Sequence, residues 1–423
     1  MSKWRTWPGK YGYRLRAGVP VLVGAILLAS CGSSTGSSAS TSTTQAGSTT
    51  SEAKSPYVFH AVLSLTGSGA TLGSIAKQAL TAFANNINSQ GGIDGHSVSL
   101  DIVDNQSSPS TAVATATSWI HSGVPFFLNG SISPVDNAVD ALAGSQGPLI
   151  YDLSPVANPK SGSYVFATGI SATYLEGAIA NFMKASGYTR IAIMNSLDTS
   201  GLAGYNDLED ALKAPSAAGI SVVSHQTYEP SSLSVTAQMS VIKAANPQAL
   251  FVSTTGTPFG TVLKAMHSLG MENIPTFATS GNALQSELSA FTSILPTHLY
   301  LPLGPLYFSP SSLPAAMRPF MTSFDSVISA AGGQPNTGWG LPVDAFLLLV
   351  RALRSIGVNA TASQLKDYLQ SQVHNVPESF GLYNISEADH VGTDGNDVWM
   401  GQWNGKSFTV VSGADGESPI GKS

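Results

Sequence analysis

The side chains that most often carry chemistry are scattered along this sequence rather than grouped into motifs. Its eight histidines include no pair at the i, i+4 spacing of a helical metal site, and the sequence has no Gly-x-Ser-x-Gly nucleophile turn. Gly67-Ser68-Gly69 with Gly73 approaches a dinucleotide fingerprint, but the third glycine falls one residue late. Asp394-Gly395-Asn396-Asp397 has part of a calcium loop without its closing glutamate, which indicates a turn. We therefore expect a protein that is not an enzyme and that holds no metal and no cofactor.

The single cysteine, Cys31, stands at the end of an N-terminal export signal. The first sixteen residues contain five basic residues and no acidic one, and the apolar run Ala17–Ala29 follows. That run is too short to cross ~30 Å of hydrocarbon as a helix. It ends in Leu28-Ala29-Ser30-Cys31, which resembles the lipobox of bacterial lipoproteins, whose cysteine is diacylated and becomes the new N-terminus. The alternative is an ordinary secreted protein that buries this cysteine; with one cysteine, no internal disulfide is possible.

The segment after Cys31 is predicted to be a flexible tether. It is almost wholly Ser, Thr, Gly and Ala, and such a composition cannot bury enough apolar surface to order itself. Five of the 19 basic residues and none of the 25 acidic ones lie in the signal, so the rest of the chain has a formal net charge of −11. This charge argues against nucleic-acid binding, which needs clustered Lys and Arg. The remaining ~370 residues exceed one usual core, so we expect two lobes.

From residue 57 onward, strand patterns alternate with helix patterns in two series. The first series has strands at 58–63, 98–103, 125–128 and 148–151, with helices at 72–87, 111–121 and 135–142. The second has strands at 191–194, 220–224, 249–253 and 276–278, with helices near 200–212, 235–245 and 260–269. This alternation predicts an α/β fold of two doubly wound, Rossmann-like lobes, each with a parallel central sheet covered on both faces. Ligands bind such sheets at the carboxyl ends of the strands, so a site between two hinged lobes is expected.

One ordered set of motifs resembles a known family. Leu65-Thr66-Gly67 is followed by Ile87-Asn88-Ser89-Gln90-Gly91-Gly92-Ile93-Asp94-Gly95, and then by Asp104 and Pro109. This order and spacing are similar to those of the type I periplasmic binding proteins, specifically the branched-chain amino-acid (Leu/Ile/Val) receptor branch of ABC importers. The likeness runs through most of residues 57–411.

The resemblance implies a domain organisation with a three-stranded hinge. Its crossings would fall near Gly169, near Pro302–Gly304 and near Trp399–Gln402. The expected division is a signal peptide at 1–30, a tether at 31–55, lobe 1 at 56–169 plus 304–398, and lobe 2 at 170–303 plus 399–423.

The resemblance also implies which loops of lobe 1 bind the ligand. In the family, hydroxyls and backbone amides of this lobe hold the ligand carboxylate, and oriented N–H groups at helix N-termini suit an anion. The matching positions here are Leu72, whose counterpart is aromatic in many relatives, and two loops that contribute Ser131, Ile132, Ser133, Ser154, Val156 and Ala157. The alternative for Ser131 and Ser133 is that they only cap the following helix.

In lobe 2 the sequence departs from the family's pattern. The matching residues are Ser200, Thr255, Gly256, Ser280 and Gly281, where amino-acid binders place a carboxylate for the ligand ammonium, with aromatic rings nearby. A buried ammonium without its partner costs ~3–5 kcal/mol. Only Asp198 or Glu176 is available to supply that charge, and Asp198 also fits a solvated loop acid. We therefore expect a small, hydroxyl-rich, neutral pocket whose ligand is not a standard branched-chain amino acid.

These observations predict an extracytoplasmic solute-binding lipoprotein, anchored to the outer face of the cell membrane through Cys31 and acting as a monomer. Its partners would be a small-molecule solute and an ABC permease. The alternative is a sensory subunit that presents the same closed form to a membrane receptor.

Overall fold

The computed structural model describes residues 54–130, 132–153, 159–417 and 419. The strands in these residues are β1 (Lys54–Leu63), β2 (His96–Asp104), β3 (Phe126–Gly130), β4 (Leu149–Asp152), β5 (Val165–Ala167), β6 (Arg190–Ser196), β7 (Ser221–Tyr228), β8 (Ala249–Ser253), β9 (Thr276–Ala278), β10 (Leu299–Leu303), β11 (Val376–Glu378), β12 (Gly381–Tyr383), β13 (Trp399–Trp403) and β14 (Phe408–Ala414).

The helices in the same residues are α1 (Ala70–Ser89), α2 (Pro109–His121), α3 (Ser133–Asp140), α4 (Ala172–Ala185), α5 (Thr199–Leu212), α6 (Thr236–Ala244), α7 (Thr257–Ser268), α8 (Gln285–Ala290), α9 (Arg318–Ala330), α10 (Thr337–Ile356) and α11 (Ala362–Gln372). None of the helices in the described ranges is long and apolar enough to cross a membrane.

Two main sheets organise the molecule. The first has the order β2-β1-β3-β4-β5, and all of its strands are parallel. The second has the order β14-β13-β10-β9-β8-β6-β7, in which only β13 and β14 run antiparallel to their neighbours. The fold is thus mostly parallel α/β with two lobes, as the sequence pattern predicts. A small antiparallel pair, β11-β12, lies outside both sheets.

The central strands are apolar up to their carboxyl-terminal residues because helices cover both faces of each sheet. β3, β4 and β8 are buried at every residue, which explains why they read as continuous hydrophobic runs. α1 is instead amphipathic and turns a stripe that includes Leu80, Phe83 and Ile87 toward the core.

Two helices from late in the sequence pack on the first lobe. The ring of Phe346 in α10 lies 4.8 Å from that of Phe59 in β1, and the ring of Phe324 in α9 lies 5.2 Å from that of Phe83 in α1. The first lobe is therefore built from two separate stretches of chain. The helix α4 packs on the second sheet, where Phe182 contacts Tyr300 with ring centroids 5.2 Å apart.

The chain passes between the lobes at three places that lie together. The first passage follows β5, the second follows β10, and the third enters β13. Leu303 pairs with Trp399, so the second and third passages are adjacent strands. A side chain at Gly304 would meet Ile170 at 3.0 Å, which brings the first passage against the second. The first two passages leave from the carboxyl ends of parallel strands, which is the edge at which ligands bind in sheets of this kind.

Candidate functional site

The loop after β1 is held in place by hydrogen bonds to the side chain of Asp104. Asp104 accepts hydrogen bonds from the backbone N–H groups of Leu65 (3.0 Å) and Thr66 (3.1 Å) and from the Thr66 hydroxyl (2.7 Å). The helix that follows starts very close to this loop, since a Cβ at Gly73 would lie 2.1 Å from the carbonyl oxygen of Ser64. Asp104 and Gly73 are thus structural residues that fix where α1 begins.

This arrangement holds Leu72 at the carboxyl edge of the first sheet. The side chain of Leu72 is 43% exposed, and it lines a small cavity of about 60 Å³ together with Leu153, Thr337 and Leu341. Ile132 lies in the same group of loops, because its Cγ2 is 3.1 Å from the position of a Cβ at Gly69. The sequence did not predict the three residues contributed by the late helix α10 and by the end of β4.

Only some of the other ligand-binding residues predicted for lobe 1 are among the described residues. Ser133 is the first residue of α3, and Ile132 occupies the N-cap position with no side-chain cap hydrogen bond. Ser131, Ser154, Val156 and Ala157 lie outside the described residues, as does Cys31.

A buried polar cluster underlies the loops after β3 and β4. Asn129 donates a hydrogen bond to Asp152 Oδ1 at 2.8 Å, and both side chains are fully buried. Burial, followed by repulsion from Asp136 and Asp140, holds the pKa of Asp152 well above its usual range. Burial also raises the pKa of Asp140 to about 6. This burial favours the neutral carboxyl form of Asp152, which serves as a hydrogen-bonding group under the loops.

In lobe 2, Asp198 caps the helix α5 instead of standing free in solvent. Its Oδ1 accepts from the backbone N–H of Gly201 (2.8 Å) and from the hydroxyls of Ser196 and Ser200 (both 3.0 Å). Burial acts to raise its pKa, but these hydrogen bonds outweigh that effect and lower the pKa. Asp198 is thus the N-cap of α5, a role that was not predicted from the sequence, and its side chain is still partly exposed.

The predicted residues of lobe 2 form one patch at the carboxyl edge of the second sheet. The hydroxyls of Ser200 and Thr255 are 3.5 Å apart, and a Cβ at Gly281 would lie 2.8 Å from the Thr255 methyl group. Gly256 and Ser280 adjoin these residues in the same two loops. We call Ser200, Thr255 and Gly281 the hydroxyl patch.

The hydroxyl patch rests on buried hydrogen bonds that the sequence did not reveal. The hydroxyls of Ser196 and Thr254 are hydrogen-bonded at 2.9 Å, and the amide of Asn282 donates to the Thr254 carbonyl at 2.7 Å. These bonds join the loops after β6, β8 and β9 into one unit. The only sequence signal was the run of Ser, Thr and Asn after successive strands.

Of the two acids that the sequence offered near this patch, only Asp198 has a lowered pKa, and its Oδ1 is committed to the N-terminus of α5. Glu176 in α4 is 3% exposed, and burial together with the neighbouring Asp207 raises its pKa to about 8. It is therefore mostly protonated at neutral pH.

Two aromatic residues near the second passage, Tyr300 and Phe308, pack in the hydrophobic core.

The hinge itself contains a buried hydrogen-bond chain. The hydroxyl of Tyr383 accepts from the Gly169 backbone N–H (3.2 Å) and donates to Asp344 Oδ2 (2.9 Å), while the Thr393 hydroxyl donates to the Gly169 carbonyl (2.6 Å). Gly169 has a φ of +108°, which a side chain would strain. Burial raises the pKa of Asp344 to about 7, against the lowering effect of its hydrogen bonds. The first passage between the lobes is thus held by side chains from β12 and from the segment that precedes β13.

Within the described residues there is no cluster of His, Cys, Asp and Glu that could hold a metal ion. What the geometry defines is a pair of mostly parallel-sheet lobes joined by passages that lie side by side. This is the architecture of a protein that encloses a ligand between two lobes.

Comparison with known proteins gives the family. The profile of the periplasmic binding protein family matches residues 56–408, so the chain belongs to that family. No curated protein sequence matches the chain significantly. The family consists of solute-binding proteins that are not enzymes, which confirms the prediction of a binding protein without catalysis.

Solved structures agree in fold at low sequence identity. An extracellular ligand-binding receptor from Rhodopseudomonas palustris has 20% identity and a TM-score of 0.68, over 84% of this chain and 100% of that one. A putative branched-chain amino acid ABC transporter protein from Rhodospirillum rubrum has 17% identity and a TM-score of 0.68, over 84% and 100%. A branched-chain amino acid substrate-binding protein from Streptococcus pneumoniae, solved with isoleucine, has 15% identity and a TM-score of 0.65, over 84% and 98%. These likenesses establish the type I periplasmic binding protein fold.

Proposed function

We propose that this protein captures a small, polar, predominantly uncharged solute between its lobes and passes it to an ABC permease. The observation that carries the proposal is the hydroxyl patch, in which Ser200 and Thr255 lie 3.5 Å apart with Gly281 beside them. Hydroxyl groups both donate and accept hydrogen bonds, so they suit amide, hydroxyl or carbonyl groups of a solute.

The electrostatics of the patch argue against a standard branched-chain amino acid. Oδ1 of Asp198 already accepts three hydrogen bonds at the start of α5, and the raised pKa of Glu176 leaves that side chain mostly neutral. Desolvating a ligand ammonium without a partner costs ~3–5 kcal/mol. Micromolar binding is worth only about 8 kcal/mol in total. A ligand without an ammonium group at this position avoids that cost.

The proposal includes the location of the protein and its division into lobes. The basic N-terminal residues, the short apolar run and Cys31 support a diacylated lipoprotein on the outer face of the cell membrane. Lobe 1 would comprise residues 56–169 and 304–398, and lobe 2 residues 170–303 and 399–423. The distribution of strands between the two sheets supports this division.

A thermal-shift screen tests the proposal. The purified protein is screened against amino acids, amides, aromatic acids and polyols, and a true ligand at about a hundred times its Kd stabilises the fold by about 2.7 kcal/mol. Thr255→Val should then weaken binding of the best ligand by about 3- to 10-fold, which corresponds to one hydrogen bond. Thr81→Val, at an exposed position on α1, is the matched control and should leave the Kd unchanged.

The screen also has an outcome that contradicts the proposal. If leucine, isoleucine or valine gave the largest stabilisation, the binding site would contain a partner for the ligand ammonium, which would contradict the proposal. If no member of the four classes stabilised the protein, the small polar solute would be the wrong class.

A further inference from the structure

A second cavity lies beside the hinge, and the three residues of the hydroxyl patch are not part of its lining. Its volume is about 330 Å³, which is within the usual range for small-molecule sites. It is lined by residues from the second lobe's β13-β14 hairpin, from the segment after β10, and from α9 of the first lobe. We call it the aromatic cavity.

Four aromatic rings line this cavity. Tyr307 and Phe408 meet edge to face with ring centroids 6.2 Å apart, Trp403 lies 5.1 Å from Phe408, and Phe308 completes the set. A hydrogen bond with Thr337 fixes the Tyr307 hydroxyl. Aromatic faces carry negative electrostatic potential and attract organic cations, with the most favourable contribution from Trp.

An acid without a cationic partner shares the cavity. Asp325 in α9 is half-buried and lines the cavity, yet it forms no ion pair with any Lys, Arg or His in the part of the chain that the structure describes. Burial raises its pKa to about 6, so Asp325 is still ionised in most molecules at neutral pH. A nearby positive charge would stabilise the ionised form of such a partly desolvated carboxyl group.

We propose that the aromatic cavity binds a small alkylammonium ion, with Asp325 as its counter-charge and the rings of Tyr307, Trp403 and Phe408 around its alkyl groups. This site is additional to the solute site, and it does not depend on the ligand that the hydroxyl patch takes. Because both lobes contribute to its walls, the cation would contact both sides of the hinge.

The test uses choline chloride and its neutral isostere 3,3-dimethyl-1-butanol as probes. Isothermal titration of the full chain at constant ionic strength should show saturable choline binding and at least tenfold weaker binding of the isostere. Asp325→Asn should weaken choline binding at least tenfold. Asp367→Asn, at an exposed acid on α11, is the matched control and should leave it unchanged. Phe408→Leu keeps the charge and should also weaken choline binding, which provides a second variant if Asp325→Asn fails to fold.

Three results would overturn the proposal. The first is an absence of saturable choline binding in the millimolar range. The second is equal binding of the neutral isostere, which would make the cavity merely apolar. The third is loss of choline binding in Thr255→Val but not in Asp325→Asn, which would place the cation at the solute site instead. The first two results do not bear on whether the hydroxyl patch binds a polar solute, whereas the third would also contradict the proposal that this patch takes an uncharged one.

Discussion

Removing one hydroxyl at the hinge should cost a defined amount of stability. Tyr383 is fully buried, and its hydroxyl joins the Gly169 N–H (3.2 Å) to Asp344 Oδ2 (2.9 Å). In Tyr383→Phe the ring keeps its packing, but both neighbours lose this partner. The substitution therefore isolates the hydrogen bonds that hold the first passage between the lobes.

The two lost contacts differ in magnitude. The Gly169 N–H would have no acceptor from Tyr383, and a buried unsatisfied donor costs about 1–3 kcal/mol. Asp344 keeps hydrogen bonds from the backbone N–H groups of Ser379 (2.9 Å) and Phe380 (3.2 Å), so its loss is smaller. One ordinary hydrogen bond contributes about 1 kcal/mol. We expect Tyr383→Phe to lower the free energy of unfolding by about 2–4 kcal/mol, which is a large share of the usual 5–15 kcal/mol.

Urea unfolding followed by circular dichroism measures this change. The midpoint should fall while the slope with denaturant stays constant, because the surface exposed on unfolding is the same. Tyr164→Phe is the matched control. Tyr164 is also buried, and its ring lies under Lys366 Nζ at 4.6 Å, but its hydroxyl makes no hydrogen bond within the described ranges. Equal destabilisation by the two variants would refute the reasoning, since packing and not the hinge hydrogen bonds would then explain the effect.

Three further predictions address the first lobe, a buried acid and the anchor. Gly73→Ala should destabilise the fold by about 2 kcal/mol or more, because the added Cβ would lie 2.1 Å from the Ser64 carbonyl oxygen. Gly177→Ala, where the added Cβ meets nothing within 4 Å, should instead stabilise α4 by up to about 1 kcal/mol. Melting curves that rank the two variants in the other order would contradict this. Glu176 binds its proton more tightly in the folded state (pKa about 8) than in the unfolded one (4.5), so its contribution to stability is greatest below pH 4.5 and is lost as pH rises to 8. Glu176→Gln should therefore flatten the fall of unfolding free energy with pH by up to about 1.4 kcal/mol per pH unit in that window, and an unchanged slope would show that Glu176 ionises normally. Cys31→Ser should release the protein into the medium with solute binding intact, and retention of this variant in the membrane fraction would argue against the lipid anchor.

The sequence predicted the elements whose pattern is local. Continuous apolar strands such as β8 and β9 have the predicted bounds, because a strand buried on both faces is recognisable from its own residues. The predicted strand at 220–224 extends to Tyr228, and the predicted helix at 135–142 begins and ends two residues earlier. Such ends depend on neighbours in space and not on the residues alone.

Contacts between distant parts of the chain were not predictable. The Tyr383–Gly169 hydrogen bond joins residues 214 positions apart, and no periodicity connects them. The same applies to the contribution of α10 to the cavity beside Leu72. The N-cap role of Asp198 was not predicted because a helix N-cap and a solvated acid look alike in sequence when Ser, Gly and Asp occur together. The hydroxyl patch was predictable, since loops after adjacent parallel strands meet at one edge.

The central claim is that the two lobes close over a solute. Its most direct test is the distance between fluorophores on the two lobes, attached through Lys77→Cys in α1 and Lys264→Cys in α7, both exposed, in a Cys31→Ser background. Saturation with the best ligand of the thermal-shift screen should shorten that distance, and Thr255→Val should shift the transition to higher ligand concentration. A distance that stays the same at saturation would contradict closure of the lobes.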